Sequence, residues 1–162
     1  MTSLSLFLGE RREEPSSAAR DDCPLCTNDG GRLLWRGAFW RLVAVDENGL
    51  PGYLRIILNR HCMELTALAK PEREQLFKLL IAIENEMRDT LHPDKINHAS
   101  LGNHVAHLHW HLIPRWHDDP YFPDSIWAAP RTTTASPQTT ERRALAERLF
   151  AKMPSLCAKT VY

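Results

Sequence analysis

Residues 106–113 have the sequence Ala-His-Leu-His-Trp-His-Leu-Ile, in which histidine alternates with apolar side chains. Successive side chains of a β-strand point to opposite faces, so an extended conformation places His107, His109 and His111 on one face. The apolar residues between them then enter a core. Three imidazoles on one face are unfavourable unless each finds a hydrogen-bond partner or a ligand. The stretch therefore predicts a β-strand that carries a functional site.

The segments on either side of this strand predict an antiparallel α+β domain. Aromatic and β-branched runs between turn-forming residues indicate strands at 33–35, 39–45, 53–58, 95–101 and 105–114. An apolar stripe of helical period predicts a long helix from Pro71 to His92, between the third and fourth strands. A C-terminal helix is expected from about Glu141. Because strands and helices are segregated along the chain, we expect one antiparallel sheet of about five strands.

Composition limits the class of protein and its partners. The 162 residues suit one core, and we expect a polar arm at 1–20, a folded domain at 21–127, and a linker with the C-terminal helix at 128–162. Twenty basic and twenty acidic residues cancel, so no general attraction to nucleic acid or to an anionic membrane is expected. The lack of a signal-peptide pattern and of a membrane-spanning apolar run favours a cytoplasmic protein.

The residues alone allow three interpretations of the histidine strand. The histidines can be incidental on a half-buried strand, which strict alternation over three positions disfavours. Alternate histidines can bind a zinc ion together with a further ligand. A neutral imidazole can also act as a nucleophile toward phosphate while a second imidazole donates a hydrogen bond.

A family resemblance favours the phosphate chemistry. The segment from Gly102 to Ile113 resembles the histidine triad (HIT) motif His-φ-His-φ-His-φ-φ, where φ is apolar, and every position of the motif matches. The likeness extends from about Cys23 to about Trp127. It implies a HIT-like fold and an enzyme that cleaves a substituted nucleotide α-phosphate, such as that of a dinucleoside polyphosphate or a nucleoside phosphoramidate.

The resemblance also implies roles for single residues. The central histidine of the family motif, here His109, becomes transiently nucleotidylated, and the third, here His111, contacts the phosphate and helps the leaving group depart. Such covalent catalysis splits one difficult displacement into two easier steps. Family members commonly form two-fold dimers, so we expect a homodimer, with Trp116 or Trp127 shaping the pocket.

The loop before the histidine strand is suited to binding phosphate. Gly102 allows close approach of the backbone, and Asn103 or His104 can donate hydrogen bonds to phosphate oxygens. By resemblance, Asn97 matches the Asn or Gln that contacts phosphate in the family, so the choice between Asn97 and Asn103 is open. Asp46 resembles the acidic residue that binds the ribose hydroxyls.

Cys23 and Cys26 form a Cys-x-x-Cys pair with the spacing of a metal-binding knuckle. Some histidine triad proteins bind a structural zinc ion on such a pair, together with a histidine after the third strand and the first histidine of the triad. The resemblance therefore implies a closed zinc site formed by Cys23, Cys26, His61 and His107. Cys62, next to His61, is an alternative ligand.

Two rival functions are open on the sequence alone. His107, His109 and His111 can together bind a catalytic zinc ion, or the domain can bind nucleotides without turning them over.

Overall fold

The computed structural model describes residues 18–46, 49–134 and 136–161, so most of the expected N-terminal arm lies outside the described residues. The elements in chain order are α1 (Pro24–Thr27), β1 (Arg32–Arg36), β2 (Trp40–Ala44), β3 (Leu54–Leu58), a 3-10 turn (Leu65–Ala67), α2 (Lys70–Leu91), β4 (Lys95–Ala99), β5 (His109–Arg115) and α3 (Thr139–Val161). The expected α+β class is confirmed, with α2 between the third and fourth strands.

The five strands form one antiparallel sheet in the order β1-β2-β3-β5-β4. The histidine strand β5 therefore lies inside the sheet, between β3 and β4. In the register with β3, His111 lies opposite Arg55 and His109 lies opposite Ile57. Directly opposed residues share a face, so Arg55 and the two histidines lie on the same side of the sheet.

The other side of the sheet packs against α2 and α3. Leu42, Ile56 and Leu112 are almost fully buried there, in one core with Leu149 and Met153 of α3. The apolar stripe expected for α2 is buried in the same core and consists of Leu76, Leu79, Leu80, Ile83, Met87 and Leu91. Among the described residues, no helix has both the length and the apolar character needed to cross a membrane.

β5 begins at His109, later than the start at Val105 that the alternation predicts. Before it the chain turns tightly, and the His107 amide donates to the Val105 carbonyl at 2.8 Å. The Leu108 amide donates to the Cys62 carbonyl at 2.6 Å, and its side chain enters the helix-covered core. His109 and His111 therefore share one strand face, while His107 precedes the regular strand.

Candidate functional site

Cys23, Cys26, His61 and His107 form one cluster that can hold a metal ion, with one candidate ligand atom from each within 4.8 Å of the others. Cys23 Sγ and Cys26 Sγ lie 3.4 and 3.5 Å from His107 Nδ1. Cys26 Sγ lies 3.4 Å from His61 Nδ1. Tetrahedral coordination with Zn–S of about 2.3 Å and Zn–N of about 2.0 Å requires S···N distances of roughly 3.5 Å. The cluster therefore fits a tetrahedral site with two sulfur and two nitrogen ligands.

Cys62, the alternative ligand, points away from this cluster. Its Sγ donates to the Glu64 carbonyl at 3.3 Å, and the residue is buried in the helix-covered core. Adjacent residues of extended chain face opposite sides, which separates Cys62 from its neighbour His61.

The turn that carries the cysteines is held by Arg41 of β2. The Cys26 amide donates to the Cys23 carbonyl at 2.9 Å, which closes the turn of α1. Arg41 is only 2% exposed, and its guanidinium donates to backbone carbonyls on and around this turn. The acceptors are the carbonyls of Leu25, Asn28, Asp29 and Leu58. The sheet thus fixes the position of the cysteine pair.

His107 has the protonation state that a metal ligand needs. Its Nε2–H donates to the Leu58 carbonyl at 2.8 Å, and because a carbonyl only accepts, the lone pair is on Nδ1, which faces the two sulfurs. Burial lowers the pKa of His107 to about 4, so the ring is neutral at neutral pH. His61 differs in one respect, because its buried Nε2 has no hydrogen-bond partner among the described residues.

Next to the metal-binding cluster, His109 and His111 line a cavity of about 410 Å³. Its other walls come from α1, β3, the loop before β5 and the segment after it. They consist of Leu25, Arg55, Leu101, Asn103, His104, Val105 and Trp127. A pocket with apolar walls and a few convergent polar groups suits a small ligand that has both an apolar and a charged part.

His109 presents an unprotonated Nε2. Its Nδ1–H donates to the backbone carbonyl of His107 at 2.6 Å, which fixes the proton on Nδ1 because the carbonyl can only accept. Burial lowers the pKa of His109, and the positive charge of Arg55 lowers it further. The ring is therefore a neutral base whose free lone pair is on Nε2.

His111 is held between aromatic rings and a tyrosine hydroxyl. Tyr53 Oη lies 2.5 Å from His111 Nδ1. The His111 ring meets the rings of His109 and Trp127 edge-on, at centroid distances of 4.8 and 5.2 Å. Burial lowers the pKa of His111 to about 3, so this ring is also neutral at neutral pH.

A buried ion pair turns the chain back toward the cavity after β5. Arg115 and Asp119 are joined by two hydrogen bonds of 2.7 and 2.9 Å, and both side chains are 2% exposed. Asp119 also accepts hydrogen bonds from the amides of Tyr121 and Phe122. The segment that follows reaches the cavity wall with Trp127.

Of the two tryptophans expected near the pocket, Trp127 lines the cavity and is half exposed. Trp116 is buried in the helix-covered core, with the Arg142 guanidinium 4.5 Å from its ring centroid.

The expected substrate-binding residues are only partly brought together. Asn103 and His104 line the cavity, whereas Gly102 between Leu101 and Asn103 does not. Asn97 accepts a hydrogen bond from Arg115 Nη1 at 2.9 Å, away from the cavity. Asp46 lies in a separate cavity of about 350 Å³ beside α3, and its exposed carboxylate is 3.9 Å from Arg143.

Two residues of the site, Tyr53 and Arg55, were not predicted from the sequence. Arg55 lies on β3 and Tyr53 directly precedes it, and both lie on the side of the sheet that holds the two cavity histidines. The signal was present in the sequence, because Arg55 is the charged residue within the otherwise apolar strand segment at 53–58.

Comparison with known proteins agrees with this geometry. Residues 41–118, which run from β2 through β5, match the family model of the HIT domain. No curated protein sequence matches the chain. A histidine triad protein from Marinobacter aquaeolei is 24% identical, with 81% of this chain and 91% of that protein covered and a TM-score of 0.62.

Two further solved structures show the same fold. A histidine triad protein from Bradyrhizobium japonicum is 21% identical and has a TM-score of 0.59, and the alignment covers 75% of this chain and 92% of that protein. A zinc-bound histidine triad family protein from Mycobacterium smegmatis is 18% identical, covers 82% of this chain and 95% of its own, and has a TM-score of 0.55. The expected HIT-like fold is confirmed, and residues 41–118 of the chain match the HIT domain.

Proposed function

We propose that the chain is an enzyme that hydrolyses or transfers nucleotidyl groups, with His109 as its nucleophile. The observation that carries the proposal is the hydrogen bond from His109 Nδ1–H to the His107 carbonyl, which leaves Nε2 as a free base in a ring that lines the cavity. The match of residues 41–118 to the HIT domain supports a nucleotide substrate. The substrate class is a nucleotide with a substituted α-phosphate, a dinucleoside polyphosphate or a nucleoside phosphoramidate.

The reaction proceeds in two displacements. His109 Nε2 attacks the α-phosphorus in line, a P–N bond forms, and the bond from phosphorus to the leaving group breaks. Water then attacks the phosphorus, the bond to His109 breaks, and the ring returns to its neutral state. His111, packed edge-on against His109, donates to the leaving group.

The cavity wall supplies groups for the phosphate oxygens. Arg55 carries a positive charge on the face that holds His109 and His111, and its effect on the pKa values of both rings reflects this proximity. Asn103 and His104 line the same cavity and can donate hydrogen bonds. Because Asn97 is hydrogen-bonded to Arg115 away from the cavity, Asn103 is the side-chain amide that we favour as the phosphate contact. Contact of Asp46 with the ribose stays a prediction.

Zinc is the metal proposed for the cluster of Cys23, Cys26, His61 and His107. The S···N distances support it, and the structure of the Mycobacterium smegmatis protein is zinc-bound. A closed site of four protein ligands would stabilise the fold by joining α1 to the loop before β5. A catalytic zinc ion on the triad would need His109 and His111 as ligands, and neither belongs to the cluster.

A homodimer is proposed for the quaternary state. β4 is an edge strand, and His98 on it is hydrogen-bonded to Glu84 of α2 at 2.8 Å. α2 beside this edge exposes Phe77 (47%) and Ile81 (64%). We name these elements the β4–α2 face. Two copies related by a two-fold axis would pair their β4 edges into one sheet and cover the exposed apolar side chains.

The proposed function is tested by turnover of adenosine and guanosine phosphoramidates by wild type and by His109→Ala. The variant is expected to lose at least about a thousandfold in kcat/KM while AMP binding, measured by calorimetry, is retained. His117→Ala is the matched control, because His117 is exposed and outside the cavity. Retained activity in His109→Ala would overturn the assignment, and a wild type that binds AMP without turnover would favour a non-enzymatic module.

A further inference from the structure

His111 differs from the other two histidines of the triad in the group with which its ring forms a hydrogen bond. His107 and His109 donate to backbone carbonyls, which fixes the proton of each ring. The partner of His111 Nδ1 is the hydroxyl of Tyr53, 2.5 Å away, which can donate or accept. Tyr53 is fully buried, so this pair is removed from bulk water.

Acid–base strength favours the tyrosine as the donor. A phenol has an ordinary pKa of about 10 and is a stronger acid than the N–H of a neutral imidazole, while an imidazole nitrogen is a stronger base than a phenol oxygen. The proton between the two residues therefore belongs to the hydroxyl. His111 then carries its own proton on Nε2.

Neutral His111 alone is a poor proton donor to a leaving amine. Burial lowers its pKa to about 3, so it is not an imidazolium at neutral pH. Loss of Nε2–H from the neutral ring would leave an imidazolate anion, unless a second proton reaches Nδ1 at the same time.

We infer that Tyr53 is the positioning residue that holds His111 with Nε2 protonated and that supplies, through His111, the proton taken by the leaving group. The inference rests on the proposed function and specifies how its first displacement is completed.

The proton transfers balance over the two displacements. As His109 Nε2 bonds to phosphorus and the P–N bond to the leaving amine breaks, His111 Nε2–H passes to the amine and the Tyr53 hydroxyl proton passes to His111 Nδ1. When water attacks the phosphorus, its proton passes to His111 Nε2, and Nδ1–H returns to the Tyr53 oxygen. No oxidant is needed, and water is the only co-reactant.

Two features of the site suit this transfer. The ordinary pKa of a phenol, about 10, is close to that of an alkylamine such as lysine, about 10.4, so these two classes of group exchange a proton at little cost. The Arg55 guanidinium carbon lies 5.9 Å from the centroid of the Tyr53 ring, where its positive charge stabilises a transient phenolate.

The test compares wild type and Tyr53→Phe on two AMP derivatives that differ in leaving group. An alkylamine phosphoramidate needs a proton to leave, whereas a p-nitrophenyl ester does not. Tyr53→Phe is expected to lose about a hundredfold or more in kcat on the phosphoramidate and less than about threefold on the ester, with KM little changed. Tyr121→Phe, a partly buried tyrosine outside the cavity, is the matched control and keeps both rates.

Nitrogen NMR of the His111 ring, assigned by comparison with His111→Asn, reports the proton position independently of activity. The expected state has Nε2 protonated and Nδ1 as a hydrogen-bond acceptor from Tyr53. Protonation on Nδ1, or an equal loss on both substrates in Tyr53→Phe, would overturn the inference while leaving the proposed function intact. Failure of wild type to turn over either substrate would overturn both.

Discussion

At the scale of single residues, two backbone carbonyls separate the roles of neighbouring histidines. The Leu58 carbonyl holds the proton of His107 on Nε2, and the His107 carbonyl holds that of His109 on Nδ1. The unprotonated nitrogen is therefore Nδ1 in His107 and Nε2 in His109. His107 turns its lone pair to the cysteine sulfurs, and His109 keeps Nε2 available in the cavity.

Arg55 is expected to contribute to catalysis through its charge. Arg55→Gln should lower kcat/KM by about a hundredfold, because it removes a positive group that faces the developing charge on the phosphate oxygens. Arg55→Lys keeps the charge but lacks the planar fork, so its loss should be smaller. Steady-state kinetics on one phosphoramidate checks both variants. If Arg55→Gln is as active as wild type, Arg55 has no role in catalysis.

His111 is expected to make the fold sensitive to acid. Its pKa is lowered from 6.5 to about 3 on folding, so the folded chain favours the neutral ring. Above about pH 6.5 the ring is neutral in both states and the free energy of unfolding is unaffected. As the pH falls from 6.5 toward 3, the unfolded chain binds a proton that the folded chain does not, so the free energy of unfolding decreases, by up to about 2 kcal/mol at about pH 5.

Urea unfolding of wild type and His111→Asn at about pH 7 and pH 5 checks this effect. The difference in unfolding free energy between the two proteins should shift in favour of the variant at the lower pH, because asparagine does not titrate. A difference that is the same at both pH values would contradict the lowered pKa of His111.

The histidines of the site could be predicted from the sequence, but their partners Tyr53 and Arg55 could not. Alternation is a local pattern, so His109 and His111 could be predicted to share a face. The pairing of Tyr53 with His111 depends on the register between strands more than fifty residues apart in the chain. A tyrosine or an arginine in a strand also has many ordinary structural roles, which is why neither was recognised.

At the scale of elements, the stability of the cysteine turn α1 is expected to depend on the proposed zinc ion. Cys23→Ser should lose the bound zinc and about 3 kcal/mol of stability, which lowers Tm by roughly 6–12 °C for a chain of this size. Cys62→Ser is the matched control, because Cys62 adjoins His61 but its Sγ faces the Glu64 carbonyl. Elemental analysis and thermal melting measure the two effects.

Removal of the metal by a chelator separates a structural zinc ion from a catalytic one. A chelator should lower Tm while the protein that is still folded, assayed well below its Tm, keeps its turnover. Loss of turnover at once on chelation, with the fold intact, would favour the rival in which the triad binds a catalytic metal.

The boundaries of the elements were harder to predict than their types. The alternation of residues 105–114 indicated a strand throughout, yet the bond from the Leu108 amide to the Cys62 carbonyl takes that residue out of the regular ladder. The segment after β5 was likewise not predicted, because its course depends on the buried pair of Arg115 and Asp119. Such long-range contacts have no local sequence signal.

At the scale of the whole molecule, the β4–α2 face is expected to form the interface of the proposed dimer. Ile81→Glu places a charge in the centre of this face and should reduce the mass in solution from twice the chain mass to 18.6 kDa. Leu33→Glu is the matched control, since Leu33 is 42% exposed on the opposite edge strand β1. Light scattering after gel filtration gives both masses. A wild type that is monomeric, or an Ile81→Glu variant that is still dimeric, would contradict the proposed interface.

The architecture followed from the sequence because each element has its own periodicity, with period two in the strands and the helical stripe from Leu76 to Leu91. The cavity could not be predicted in this way, because its walls come from α1, β3, β5 and the segment at Trp127, which are distant in sequence.

Trapping the covalent intermediate tests the proposed nucleophile His109 most directly. Wild type is mixed with an adenosine phosphoramidate, quenched in base to preserve the P–N bond, digested, and analysed by mass spectrometry. An adenylyl group on His109 is expected in wild type, and no adduct is expected in His109→Ala. An adduct on another residue, or turnover with no adduct under conditions that preserve the P–N bond, would contradict this assignment.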